Sequence, residues 1–179
     1  MGSSLVLRCS VFGHMQFAGA IVAAGWLMVA SPVMGADRLP EGLSPSDWSS
    51  IRAAYEANRH AAFELDGGHV ARNPGQQWRT RFDGRGFVTT PDTGNWSWGL
   101  QLVSYGREGA ARAIDARPCV EAAGQRVAYE WDDTLTEWYV NDSRGLEHGY
   151  TVRQRPEGSS ALQFTLAVRG DLRPQVSGD

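Results

Sequence analysis

A chain of 179 residues with 42% hydrophobic and 21% charged side chains is long enough for one well-buried domain and too apolar for a disordered polymer. Its formal charge of −3 argues against a general binder of nucleic acid or acidic membranes. All 17 basic residues are arginine, which excludes lysine chemistry outright: no Walker-type phosphate loop, no Schiff base and no Ser–Lys dyad.

Phe17 to Ala30 is an uncharged apolar run. It is shorter than the ~20 residues a membrane-spanning helix needs and suits a signal-peptide core. Arg8 and the amino terminus supply the positive segment ahead of it, Pro32 breaks any helix, and Val33-Met34-Gly35-Ala36 offers small residues for cleavage. The expectation is an exported, secreted or cell-surface protein that loses residues 1–36 and keeps no membrane anchor. Cys9 lies ahead of the apolar core, whereas a lipidated cysteine would follow it. The mature chain then keeps one cysteine, Cys119, so no internal disulfide can form; a free buried thiol is the expected state, and a cysteine on another chain the alternative partner.

Residues 37–60 form an N-terminal segment with one short helix. Ser44 is its N-cap, Pro45 fits the first turn, and Asp47 closes a capping box. Trp48, Ile51 and Tyr55 follow at spacings of three and four, a stripe that predicts docking against a core, and the helix fades near Arg59 or His60.

From Ala61 the period changes to two. Trp78, Thr80 and Phe82 alternate with Arg79 and Arg81 up to an Asp83-Gly84 turn, and Phe87 to Thr90 is a β-rich run stopped by Pro91. Trp96, Trp98, Leu100 and Leu102 share one face. Val127, Tyr129 and Trp131 share another, which Trp138 and Val140 meet if Asp133-Thr134 is the connecting turn. Leu146, His148, Tyr150 and Val152 alternate again, as do Leu162, Phe164, Leu166 and Val168. Short strands at this spacing predict an all-β fold, an antiparallel β-sandwich over residues 61–179 preceded by one short N-terminal helix.

Arg85-Gly86-Phe87-Val88 starts like an RNA-recognition strand, but Val88-Thr89 breaks that pattern, and export weighs against RNA. On the predicted hairpin Glu130 and Glu137 stand opposite each other beside Asp132 and Asp133. Two carboxylates so placed have the separation of a retaining glycosidase pair, about 5 Å; an adjacent arginine or open solvent is the expected compensation of their charges, and a weak calcium site ranks ahead of catalysis, although no EF-hand spacing is present. No cofactor is expected. His60, His69 and His148 form no H-E-x-x-H pair, and Glu147 and His148 point to opposite faces of a strand. With no G-x-S-x-G elbow, a hydrolytic triad lacks support. The high aromatic content suggests filled core positions plus a few rings that could hold a glycan, and Tyr139, opposite in parity to Trp138, is the expected surface ring. Asn95-Trp96-Ser97 and Asn141-Asp142-Ser143 are glycosylation triplets.

Several blocks carry a resemblance: Asn73-Pro74-Gly75-Gln76-Gln77-Trp78 running into Phe82-Asp83-Gly84-Arg85-Gly86-Phe87, then Trp98-Gly99-Leu100, Leu135 to Asn141, Gly145 to Tyr150, and Arg155-Pro156. Over roughly Ala61 to Val176 the chain resembles the N-terminal domain of secreted bacterial FG-GAP-repeat proteins, whose later repeats build an integrin-α-like propeller. The resemblance implies a non-enzymatic, adhesion-like surface module whose partners are other extracellular domains or surface proteins. It brings no catalytic residues to carry over. Trp138 would pack the core, and Gly145 and Gly149 would allow turns or a bulge. The chain departs from the pattern in lacking D-x-D-G-D calcium loops and in stopping at Asp179, where further strands would be expected.

Overall fold

The computed structural model describes residues 4–9, as backbone alone, and 39–175. The apolar run Phe17–Ala30, the expected cleavage site and residues 176–179 lie outside the described residues. The described residues form an antiparallel β-sandwich with one helix. The larger sheet holds strands β1 (Ser4–Cys9), β2 (Ala62–Leu65), β3 (Gly68–Asn73), β4 (Trp78–Phe82), β5 (Gly86–Pro91), β6 (Trp98–Arg107) and β12 (Leu162–Gly170), in the order β1-β12-β6-β5-β4-β3-β2. β7 (Ala110–Ala113) adds to one end of β6. The smaller sheet holds β8 (Cys119–Ala123), β9 (Arg126–Asp132), β10 (Leu135–Asp142) and β11 (Gly145–Val152), in the order β11-β10-β9-β8.

Alternation along the strands places the core where the sheets face each other. Phe82, Phe87, Leu100, Leu102, Tyr105, Phe164 and Leu166 come from the larger sheet, and Val127, Tyr129, Leu135, Tyr139 and Tyr150 from the smaller. The rings interlock: Tyr150 stacks on Phe164 with centroids 4.4 Å apart, and Tyr139 meets Phe82 and Phe87 at 5.0 and 5.5 Å. Leu102 and Tyr105 both face inward although three residues apart. A bulge at Val103, where Thr165 pairs with Ser104 but Leu166 with Leu102, makes that possible. The Asp83 turn is closed by its own carboxylate, which accepts from the Arg85 and Gly86 amides at 3.1 and 3.3 Å.

The helix, α1 (Pro45–Arg59), begins as expected: the Ser44 hydroxyl accepts from the Asp47 amide at 3.2 Å and donates to the Asp47 carboxylate at 2.6 Å. Of its apolar stripe only Trp48 is half-buried. No residue of α1 is buried, and Ile51 and Tyr55 are 48% and 62% exposed. What holds the helix is its last turn, where buried His60 donates from Nδ1 to the Glu56 carbonyl and its own carbonyl accepts from Asn141 Nδ2.

Candidate functional site

The residues expected to form a ligand surface are divided by one bulge. Asp132 pairs with Leu135 across the Asp133-Thr134 turn, as expected, but Glu130 then pairs with Thr136 and Tyr129 with Glu137. Trp131 is the extra residue. A one-residue slip sends every later side chain of β10 to the other face. Glu137 and Tyr139 therefore point into the sandwich, each 0% exposed, while Glu130 stays on the outer face. The two carboxylates are not opposite each other and form no glycosidase-like pair. Trp138, expected in the core, lies on the outer face instead, buried there beneath the Arg126 guanidinium 5.1 Å from its ring. Gly149 stands opposite it in β11, and Gly145 adopts a positive φ at the β10–β11 turn.

Glu137 is the centre of a polar cluster in the core. Oε1 lies 2.8 Å from His148 Nε2 and accepts from the Tyr150 hydroxyl at 2.9 Å; Oε2 accepts from Trp131 Nε1 at 3.0 Å. An ionised carboxylate only accepts, so this arrangement selects the imidazole form that carries its proton on Nε2. The His148 ring stacks on Tyr139 at 4.8 Å. Burial first, and then the nearby Glu137 carboxylate, push the Tyr139 and Tyr150 phenols well above their ordinary range. The Tyr139 hydroxyl is buried without a hydrogen-bond partner. Chemically the cluster contains an acid and a base in contact, with Glu137, Tyr139 and Tyr150 buried and His148 and Trp131 half-buried at its margin.

The outer-face carboxylates are occupied by the fold. Glu130 accepts from Thr136 at 2.8 Å and from both terminal nitrogens of Arg153 at 3.0 Å. Asp132 accepts from the Thr134 hydroxyl and amide at 2.6 and 2.7 Å, from the Leu135 amide at 3.0 Å, and from Arg112. Burial pushes the Asp132 carboxyl up, but these donors and the Arg112 charge hold it below the usual range. Asp133 is exposed. No group of three or more His, Cys, Asp or Glu stands together as metal ligands among the described residues, so the calcium expectation gains no site from Asp132 and Asp133.

Other expectations resolve individually. Cys119 is exposed on edge strand β8, not buried. Asn141 is 2% exposed, its amide donating to the His60 and Arg72 carbonyls at 2.9 Å, which leaves Asn95 as the accessible glycosylation triplet. Glu147 and His148 do lie on opposite faces, Glu147 beside Arg144 and His148 against Glu137.

Sequence reasoning missed a cavity at one end of the sandwich, about 200 Å³ in volume, beside the β2–β3 and β4–β5 turns and the Arg117-Pro118 approach to β8. His69 lines it, and the parity of His69 with buried Ala71 and Asn73 was the available signal. A second hollow of about 220 Å³ lies beside Tyr105, Arg112 and Arg155. With the fold and these sites in place, comparison with known proteins gives no relative: no protein-family model matches the chain, and searches of curated proteins and of solved structures returned no match.

Proposed function

We propose that the chain is an exported, non-catalytic β-sandwich module, the head of an FG-GAP-type surface or adhesion-like protein. The observation that carries this reading is the position of the acid–base groups. Glu137 and Tyr150 are buried between the sheets with half-buried His148 against them, and Glu130 and Asp132 are engaged by arginines and turn donors on the opposite face. Groups whose hydrogen-bonding capacity is taken up by the fold support a structural role over a catalytic one. Ile51 and Tyr55 on α1 and Phe63 and Leu65 on edge strand β2 are exposed apolar side chains, a surface suited to contact with other domains. Glycan binding, the second reading, loses Tyr139 to the core.

Two measurements test the proposal. Mass spectrometry of the exported chain is expected to find an amino terminus near residue 37, which would also remove β1 and open the edge of β12. Retention of Met1 inside the cell would sink the export reading. Incubation of the protein with a panel of aryl glycosides and polysaccharides is expected to give no turnover, and turnover abolished by Glu137→Gln would overturn the non-catalytic reading.

A further inference from the structure

At one end of the sandwich the inward face of the larger sheet changes character. Phe82 pairs with Phe87 on one side and with His69 on the other, and His69 pairs with Glu64. Directly paired residues share a face, so the row that is Phe87 and Phe82 in the core continues as His69 and Glu64 at the sheet's edge. A polar pair in an inward row is unfavourable unless something polar meets it. What meets it is the cavity of about 200 Å³, closed on the other side by Arg117, Pro118 and Val120.

Its lining runs from an apolar floor to a charged rim. Phe82 is buried, His69 and Asp83 are half-buried, and Glu64 and Arg117 are exposed. The His69 Nδ1 atom is buried with no hydrogen-bond partner, so the ring beside the cavity carries an unmet polar group. The charges nearly cancel. Asp83 is held in a two-pronged pair with Arg169, at 3.1 and 2.7 Å, which leaves one anion, Glu64, and one cation, Arg117, at the rim, neither ion-paired among the described residues.

We propose that this cavity binds a single neutral, sugar-sized polyol, such as the terminal residue of a glycan. The volume is below the roughly 300–1,000 Å³ of sites for drug-sized ligands, so it admits one ring and not a chain. Hydroxyl groups both donate and accept, which matches a lining that offers a carboxylate, a guanidinium and an imidazole together. A free anion would meet Glu64, and a cation would meet Arg117. The site names a ligand class for the non-catalytic module and rests on that reading only in that the sugar leaves unchanged.

The test is titration of the full chain with glucose, galactose, mannose and N-acetylglucosamine, followed through the His69 ring resonances by NMR. At least one sugar is expected to shift those resonances saturably, and Glu64→Gln and Arg117→Gln are each expected to weaken binding about tenfold. Both side chains are exposed, so the thermal midpoint should stay put. No shift with any of the four sugars overturns the proposal. So does binding indifferent to both substitutions, or a site that takes inorganic phosphate or glycine in preference to sugar. Conversion of a bound sugar would instead overturn the non-catalytic reading and leave the site standing.

Discussion

Glu137 shows how much one inward carboxylate can organise. Three donors from two neighbouring strands converge on it, and removing it would leave the buried Tyr150 donor and the half-buried His148 and Trp131 donors unpaired. Glu137→Ala is expected to cost about 3–5 kcal/mol, and Glu137→Gln, which keeps one acceptor, about 1–3 kcal/mol. Urea unfolding followed by tryptophan fluorescence measures both, and an unchanged midpoint for the alanine variant would mean the cluster contributes nothing. Asp83, Asp132 and Asp142 set the acid limit. For Asp83 burial works upward, yet the Arg169 pair and the Arg85 amide outweigh it; for Asp142 the Arg144 hydrogen bond lowers the carboxyl most. With Asp132, all three are held below their ordinary values in the fold. Their contribution is therefore complete above the unfolded value, about 3.9, and is lost as pH falls through the lower folded values. Stability should be insensitive to these groups from pH 7 to about 5 and decline below about 4. Arg169→Gln should make that decline shallower; an unchanged slope would remove Asp83 from the account.

The bulge at Trp131 is the element that decides what faces the core. The Asp133-Thr134 turn and the strand alternation were both legible, yet they place Trp138 inside and Tyr139 outside, because hydrophobic periodicity cannot locate one extra residue between two correct strands. Trp138 and Tyr139 are both aromatic and both buried, so neither choice violates the pattern. The helix carries the opposite lesson. Its capping box is local and was read correctly, whereas the docking of its stripe depended on a surface that the fold brings to half-buried Trp48 but not to Ile51 and Tyr55. The double substitution Ile51→Ser with Tyr55→Ser is expected to change stability by less than about 0.5 kcal/mol, and a loss of several kcal/mol would show that the stripe packs after all.

At the scale of the molecule, both sheets share one core, and polar ties cross between them. Tyr129 on β9 accepts from the Gly84 amide at 3.1 Å and donates to the Gly86 carbonyl at 2.8 Å, pinning the β4–β5 turn of the larger sheet. Asn73 on β3 donates to Asn141 and to the Asp142 carbonyl on β10, at 2.9 and 2.7 Å. Sheets joined at both ends should not unfold separately. Heating is expected to give a single cooperative transition by tryptophan fluorescence and by backbone circular dichroism alike, and non-coincident transitions would mean that the smaller sheet melts alone.

The all-β class, most strand faces, the helix cap and the Asp83 turn follow from residues within a few positions of one another, where alternation and turn chemistry act directly. The contact of Glu137 with His148, the exposure of Cys119 and the cavity beside His69 were not legible. Each depends on how strands distant in sequence pair, and for Glu137 also on the bulge at Trp131, which sequence periodicity does not mark. The edge row from Phe87 to Glu64 exists only once β2, β3, β4 and β5 are paired in their observed order. Local chemistry chose the elements of this protein, and the pairing between them, which sets what is buried together and what is left open, belonged to the tertiary structure.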